Sequence, residues 1–240
     1  CNYFCACKTC SESSKNEKGT IMITFEDVKR NEEVKTYITK ADESLIALGY
    51  TEHSFAHVMK VATTAEYILS TLGYPKKDIE LAQIACYLHD IGNLINREDH
   101  AQSGAILAFR ILKDMNASPD EIATVVTAIG NHDESTAFAV NSVAAALILA
   151  DKTDVRRTRV RNADTSNFDI HDRVNYSVKK STVRINEEKT EISLSLTIDP
   201  NFYSALEYFE IFLGRMILCR KAAEKLGLTF RMNINNQQIL

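Results

Sequence analysis

The stretch Ile84-Ala-Cys-Tyr-Leu-His-Asp-Ile-Gly-Asn93 carries a mostly apolar segment directly up to an adjacent imidazole and carboxylate. Neighbouring residues on a helix point about 100° apart, so His89 and Asp90 can reach one cation together only near a helix end. Gly92 follows two residues after Asp90, and we expect it to let the chain turn there. A His-Asp pair is common by chance, so its meaning depends on ligand-type residues elsewhere.

The composition indicates a mainly helical globular protein. Of the 240 residues, 45% are hydrophobic, and only 3 are Pro and 8 are Gly. The formal net charge of −4 argues against a protein that coats nucleic acid or a membrane surface. The longest apolar run, Val143 to Ala150, is far shorter than the roughly 20 residues of a membrane-spanning helix. With no signal-peptide pattern visible, we expect a cytoplasmic protein without membrane or nucleic-acid partners.

The amino-terminal segment 1–21 is predicted to be a Cys-rich leader or flexible tail. It carries four cysteines, followed by a stretch rich in Ser, Lys and Glu. Two alternatives for these cysteines are a zinc or iron–sulfur site and lipid modification of Cys1. Residues 22–232 are predicted to form a single helical domain that includes a β-hairpin at 173–198, with a tail at 233–240.

Hydrophobic periodicity predicts the order of elements inside this domain. After Asp169 the pattern changes from helical spacing to alternation, which predicts the hairpin strands 173–185 and 191–198. A last helix follows from about residue 201 to Gly227, which is expected to end it. The other predicted helices cover residues 24–48, 51–72, 78–90, 102–115, 118–130 and 143–159. The first of them can contain one break.

Six ligand-type side chains fall inside these predicted helices or at their ends. A single His on a helix is usually an ordinary residue, but four of the six histidines lie at successive helix junctions. A carboxylate directly after a long apolar run costs several kcal/mol to bury unless it is paired or bound to metal. A mixed imidazole and carboxylate set suits divalent cations, and its size suggests two ions bridged by Asp90. The predicted ligands are His57, His89, Asp90, His100, His132 and Asp151.

The order His57, His89-Asp90, Asp151 resembles that of the HD-domain superfamily of metal-dependent phosphohydrolases. The resemblance covers about residues 51 to 157, with His57-Val-Met-Lys-Val-Ala, Leu88-His-Asp-Ile-Gly and Leu149-Ala-Asp-Lys as its local motifs. It implies an HD-domain helical bundle, here with the β-hairpin as an excursion near the carboxyl terminus. It also implies a divalent metal cofactor: Fe, Mn or another transition metal, with Mg as a further possibility.

Two further elements resemble those of the multi-metal subfamilies. His100-Ala-Gln-Ser-Gly104 is similar to the H-x-x-x-G element of HD-GYP phosphodiesterases and of symmetric dinucleoside tetraphosphate hydrolases. Ile129-Gly-Asn-His132-Asp133-Glu134 resembles the HHE element of the HD-GYP group. Three departures argue against a third metal and against cyclic-di-GMP specificity. Asn93 replaces the usual Lys, Asp133 replaces the second His, and the Gly-Tyr-Pro stretch is absent from residues 135–138.

The resemblance implies hydrolysis of a phosphate ester or anhydride by a metal-bound hydroxide. Asp90 then serves as the bridging catalytic ligand, and Asp133 orients a ligand or acts as a base. Lys152, Arg156 and Arg157 are predicted to bind substrate phosphate, although the two arginines also suit a solvated helix end.

Three functions stay open at this point. The first is two-metal hydrolysis of a nucleotide or dinucleotide, so that the partner is a phosphorylated small molecule. The second is a one-metal nucleoside monophosphate phosphatase. Such enzymes carry an acidic residue shortly after the HD pair, whereas here Ile91, Gly92 and Asn93 follow the pair and Glu98-Asp99 lies further on. The third is an inactive nucleotide-sensing or partner-binding module. The hairpin is a candidate lid or homodimer contact.

Overall fold

The computed structural model describes residues 23–162, 165, 168, 170–199 and 205–239, with backbone alone for 170, 171 and 205–211. The Cys-rich segment predicted at 1–21 therefore lies outside the described residues. The mainly α fold class with a small carboxyl-terminal sheet is confirmed. The helices are α1 Phe25–Arg30, α2 Glu32–Ala47, α3 Phe55–Leu72, α4 Lys76–Leu88, α5 His100–Asp114, α6 Pro119–Gly130, α7 Ser142–Lys152, α8 Ile170–Ser177 and α9 Ala205–Lys225. The strands are β1 Val178–Ile185, β2 Glu191–Ile198, β3 Thr229–Ile234 and β4 Gln237–Gln238.

Side-chain caps mark the starts of α1, α2, α3, α6 and α7. The break expected in the first helical segment falls at Asn31, whose side chain accepts from two backbone N–H groups at the start of α2. Ser118 and Glu121 form the reciprocal capping box that their spacing predicts, with Pro119 at the first helical position of α6. These local signals place the helix starts before any packing is considered.

Helix α7 is the central element of the core. Every residue from Val143 to Ala150 is buried, so this helix is apolar on all sides. It packs against α3, α4, α6 and α9, which surround it. Burial of each large side chain, such as Leu147 or Ile148, contributes roughly 1.5–3 kcal/mol. Because α7 is held from all sides, the residues at its end have fixed positions.

Helix α7 ends earlier than the predicted limit near residue 159. Its last residue is Lys152, and the Thr153 hydroxyl donates to the Leu149 carbonyl within the final turn. The chain then runs extended through Arg156 and forms a short 3₁₀ turn at Arg157–Arg159. Arg156 and Arg157 therefore lie beyond the end of α7, and their side chains do not project from that helix.

Gly92 has a different role from the predicted turn. It lies in the 3₁₀ helix Ile91–Leu94, and it is not among the residues with a positive φ. A Cβ at this position would overlap the His100 carbonyl oxygen and come within 2.6 Å of the Gly104 nitrogen. Glycine is required because the backbone of α5 packs directly on this turn, which brings His100 close to the His89-Asp90 pair.

Two corrections concern the carboxyl-terminal region. The first hairpin strand begins at Val178, because residues 173–177 belong to α8 and bury Val174 and Ser177 on one side. Residues 233–240, predicted to be a tail, contain the end of β3 and all of β4. β3 pairs in parallel with β2 in a sheet of order β1-β2-β3-β4. Its alternating buried residues Phe230, Met232 and Ile234 cover the core, but the Asn and Gln residues that follow obscured the pattern.

No described helix is long and apolar enough to cross a membrane.

Candidate metal centre

The structure brings the six predicted ligands together from five separate parts of the chain. His57 lies in α3, the His89-Asp90 pair follows α4, and His100 begins α5. His132 follows α6, and Asp151 lies in the last turn of α7. All four histidines are at most 4% exposed. The convergence results from helix packing, because these residues span 94 positions of sequence.

Four of these side chains form what we call the inner ligand set: His57, His89, Asp151 and Oδ2 of Asp90. The Nε2 atom of His57 lies 3.6 Å from Asp90 Oδ2 and 3.4 Å from Asp151 Oδ1. The Nε2 atom of His89 lies 3.2 Å from Asp90 Oδ2 and 3.7 Å from Asp151 Oδ1. Two ligand atoms each about 2.1 Å from one ion are about 3.0–3.4 Å apart, so these separations fit a single cation.

The other oxygen of Asp90 belongs to the outer ligand set, which consists of His100, His132 and Asp90 Oδ1. The Nε2 atom of His100 lies 3.6 Å from Asp90 Oδ1 and 3.3 Å from the Nε2 atom of His132. His89 borders this set too, since its ligand atom and those of Asp90 and His132 all lie within 4.8 Å of one another. Asp90 thus offers one oxygen to each set.

Each imidazole is oriented by an oxygen at its other ring nitrogen. Nδ1 of His57 contacts Oδ2 of Asp154 at 2.8 Å. In the other three histidines Nδ1 faces the main-chain carbonyl three residues earlier, at 2.7 Å for His89, 3.1 Å for His100 and 2.6 Å for His132. A carbonyl or carboxylate can only accept, so Nδ1 carries a proton and Nε2 is the ring nitrogen left to bind a cation. This arrangement is typical of metal-binding histidines.

Several of the converging ligand atoms have no hydrogen-bond partner among the described residues, and a bound cation would satisfy them. Nε2 of His57, Nε2 of His89 and Oδ2 of Asp90 are buried, and no hydrogen bond satisfies them within the described part of the chain. In the outer set, the inward lone pairs of His100 and His132 face each other at 3.3 Å. Such an arrangement is unfavourable unless positive charge lies between these atoms. The residues present therefore fit one or two divalent cations.

The electrostatics of the ligands also indicate a demand for positive charge. Burial lowers the pKa of His89, but the carboxylates of Asp90 and Asp151 outweigh it and raise the value to about 10. Burial raises the pKa of Asp151, yet Lys152 and the neighbouring histidines hold it well below its usual range. Burial lowers the pKa of His132 to about 3, with His89 and Lys152 acting in the same direction. His132 is therefore a neutral ligand at physiological pH.

A cavity of about 320 Å³ opens onto the centre from the side of the outer set. Its lining includes Asp90, His100, His132 and Asp151, whereas His57 and His89 lie behind them. Four cationic side chains also line it: Arg97, Lys152, Arg159 and Arg215. Lys152 contacts Asp151 Oδ2 at 2.7 Å, and Arg215 contacts Glu134 Oε1 at 2.5 Å. The cavity thus presents cations beside the ligands, as an anionic substrate requires.

Asp133 lies in the lining of this cavity, as its predicted role requires. Burial raises its pKa, but a hydrogen bond from the Ser135 hydroxyl and the nearby His100 lower it overall. The Ser135 Oγ to Asp133 Oδ2 distance is 2.6 Å. Asp133 is therefore a carboxylate at neutral pH, able to accept a proton in the cavity.

Arg156 and Arg157 are not brought to this cavity. Arg156 Nε donates to Asp154 Oδ1 at 2.9 Å and its Nη2 to Glu52 Oε2 at 3.3 Å. Arg157 Nε donates to the Tyr176 carbonyl, and the guanidinium lies 4.4 Å from the centre of the Tyr176 ring. Both arginines line a second cavity, and the described residues around the metal centre include neither of them.

Sequence reasoning gave no role to two side chains that contact the ligands. Asp154 accepts a hydrogen bond from His57. Its position three residues after Asp151 was the sequence signal that could have identified it. Asn93 stands where the related motif has Lys, and its amide donates to the Asp90 carbonyl at 2.8 Å and to Asp90 Oδ1 at 3.1 Å. Asn93 thus fixes the carboxylate that both ligand sets share.

Comparison with known proteins agrees with this arrangement. Residues 54–164 match the family model of the HD domain. An uncharacterized protein of Methanocaldococcus jannaschii is 25% identical over 203 residues, which cover 74% of this chain and 77% of that protein. The match confirms the resemblance drawn from the motifs: residues 54–164 form an HD domain, the domain that defines the HD superfamily of metal-dependent phosphohydrolases.

Proposed function

We propose that this protein is a two-metal phosphohydrolase that cleaves a phosphate ester or anhydride of a nucleotide or dinucleotide. The observation that carries the proposal is the division of Asp90 between two ligand sets. Its Oδ2 faces His57 and His89, while its Oδ1 faces His100 at 3.6 Å. A one-metal site needs only the inner set, and it leaves the facing nitrogens of His100 and His132 without a purpose.

The ligand residues hold the reaction centre, and the residues of the cavity handle the substrate. When bound, divalent ions neutralise charge on phosphoryl oxygens and lower the pKa of a water molecule. Asn93 and Asp154 orient Asp90 and His57, so the ligand geometry is fixed before substrate arrives. Asp133 lines the cavity, and we assign to it the role of accepting the proton of the attacking water.

The cations of the cavity favour a phosphorylated small molecule as substrate. Lys152 is held beside Asp151, where it can contact the phosphoryl group next to the ions. Arg97, whose Nη1 lies 4.0 Å from Asp90 Oδ1, and Arg215 line the same cavity, and we assign to them the substrate role first proposed for Arg156 and Arg157. Arg97 also lies 5.5 Å from the centre of the Tyr50 ring, which lines the same cavity and offers an aromatic surface to a base. A volume of about 320 Å³ suits a nucleotide-sized ligand.

The test is metal-dependent turnover of a defined substrate panel. Purified protein is stripped with a chelator, reloaded with Mn²⁺ or Fe²⁺, and assayed on nucleoside monophosphates, dinucleoside polyphosphates and cyclic dinucleotides. We expect product release that disappears on chelation and returns with the ion. The Asp114→Ala variant, which changes an exposed carboxylate on α5, serves as a matched control and should retain full activity.

Two outcomes would contradict the proposal. Full turnover after complete removal of metal would exclude metal-dependent chemistry. Binding of two ions with no turnover of any class in the panel would instead favour the sensing or partner-binding module.

A further inference from the structure

A second cavity, which we call the basic cleft, lies apart from the metal centre. It has a volume of about 630 Å³ and is formed by α3, the segment after α7 and the first strand β1. None of the six predicted metal ligands is among the described residues that line it. Asp154 reaches both places, because it lines the basic cleft and also accepts a hydrogen bond from His57.

Positive charge dominates the lining of the basic cleft. Five cations face a single carboxylate, that of Asp154. The metal-centre cavity differs, since four cations there are matched by the four carboxylates of Asp90, Asp133, Glu134 and Asp151. The cations of the basic cleft are Lys60, Arg156, Arg157, Lys179 and Lys180.

Strand β1 supplies two successive lysines to the cleft. All six residues from Val178 to Val183 line it, so the cleft follows this part of the strand. Lys179 and Lys180 are both exposed. Lys179 contacts Asp199 Oδ2 at 2.8 Å, whereas Lys180 forms no ion pair with any described residue.

The remaining polar groups are arranged to receive an anion. Lys60 is exposed on α3 and forms no ion pair within the described part of the chain. The guanidinium of Arg157 is held in place by the Tyr176 carbonyl and ring. The Thr158 hydroxyl accepts from Arg156 Nη1 at 2.9 Å, so its own O–H can donate into the cleft. A fixed guanidinium, two lysines and a hydroxyl are the groups that recognise phosphate.

We propose that the basic cleft binds a phosphorylated small molecule at a site distinct from the metal centre. Its volume falls within the range of nucleotide-sized pockets. A nucleotide and an inorganic polyphosphate share the chemistry that the cations recognise, so both are candidate sources of the phosphate. This binding does not depend on the proposed hydrolysis, because the two cavities share no described lining residue.

The experiment is isothermal titration calorimetry with two probes, pyrophosphate and ADP. Both are titrated into the wild-type chain and into the same chain carrying Asp90→Asn, in which we expect the metal centre to lose hydrolysis of the probe. The cleft variant Lys60→Glu/Lys180→Glu is made on both backgrounds. The matched control is Lys113→Glu/Lys221→Glu, which changes two exposed lysines outside both cavities by the same charge.

We expect the Asp90→Asn chain to bind at least one probe, and the cleft variant to bind it at least about tenfold more weakly. The control variant should bind as its parent does. Tighter binding of ADP than of pyrophosphate would show that the cleft contacts the nucleoside as well as the phosphates. Equal binding of the two probes would show that it recognises the phosphates alone. The single change Lys180→Gln should weaken binding by about threefold, which keeps the test valid if the double variant is unstable.

Two results would overturn the proposal. One is the absence of binding of both probes to Asp90→Asn at millimolar concentration. The other is equal binding by the cleft variant and the control variant.

Discussion

The inner and outer ligand sets differ in how firmly the protein can hold an ion. The inner set offers two imidazoles and two carboxylates, and its histidines are 0% exposed and lie behind the cavity. The outer set offers two imidazoles and one shared carboxylate, and both of its histidines line the cavity. More ligands and more negative charge favour tighter binding, so we expect the inner ion to bind more tightly. An ion in the outer set would have fewer protein ligands and so more positions for substrate and water.

The largest effect is expected where the two sets meet. Asp90→Asn removes the negative charge shared by both sets while leaving Asn93 a partner of similar shape. We expect turnover to fall on the order of 10³-fold or more, because both ions lose a ligand. Steady-state kinetics with saturating Mn²⁺ measures this loss. Retention of more than a tenth of wild-type turnover would place the chemistry elsewhere.

The next effect distinguishes the two sets directly. His132→Ala opens only the outer set, and His57→Ala opens only the inner set. We expect His132→Ala to lose on the order of 10²-fold in turnover while the inner ion stays bound. His57→Ala should lose the ion itself under the same dialysis conditions. If both variants retain the same metal content, the inner and outer sets do not differ as described.

A smaller effect is expected from the residue behind His57. Asp154→Asn keeps the shape but weakens the contact of 2.8 Å that orients the imidazole. We expect the metal affinity of the inner ligand set to fall about 10- to 100-fold, while the outer ligand set stays intact. Metal competition with a fluorescent chelator measures the affinity. Asp114→Asn is the control, since Asp114 is an exposed carboxylate of α5 that pairs with Arg110, and an equal loss in both variants would indicate that the loss does not come from the contact with His57.

The last effect concerns protons and needs no substitution. In the metal-free centre the pKa of His89 is about 10, so its imidazole carries a proton at pH 7. A cation must displace that proton in order to bind. At pH values below this pKa, the apparent affinity for the cation should therefore rise about tenfold for each unit by which the pH is raised. Calorimetric titration of metal at pH 7 in buffers of different ionisation enthalpy should detect about one proton released. Affinity that does not change between pH 7 and 9 would contradict this linkage.

Much of the inner set could be predicted from the sequence, and less of its surroundings. The motifs around His57, His89-Asp90 and Asp151 are local, and the apolar run of α7 shows that Asp151 ends a buried helix. The early end of α7 was missed, because no Gly or Pro follows Lys152, and the contacts that hold the next segment, Asp154 with His57 and Arg159 with the Glu52 carbonyl, are tertiary. That single difference moved Arg156 and Arg157 from the metal centre to the basic cleft.

Non-local pairing accounts for the remaining differences. β3 joins β2 in parallel after the whole length of α9, so no turn signal links the two strands. The contribution of Arg215 to the metal-centre cavity likewise depends on how α9 packs against α7. Neither contact leaves a pattern within a short window of sequence. Both follow only from the tertiary arrangement.

The most direct test of two ions bridged by Asp90 is anomalous scattering from crystals grown with Mn²⁺. Two peaks about 3.5–4 Å apart, with the Asp90 carboxylate between them, are the predicted result. The peak beside His57 and His89 should have the higher occupancy. A single peak within the inner set, with His100 and His132 bound to nothing but water, would contradict the two-metal centre.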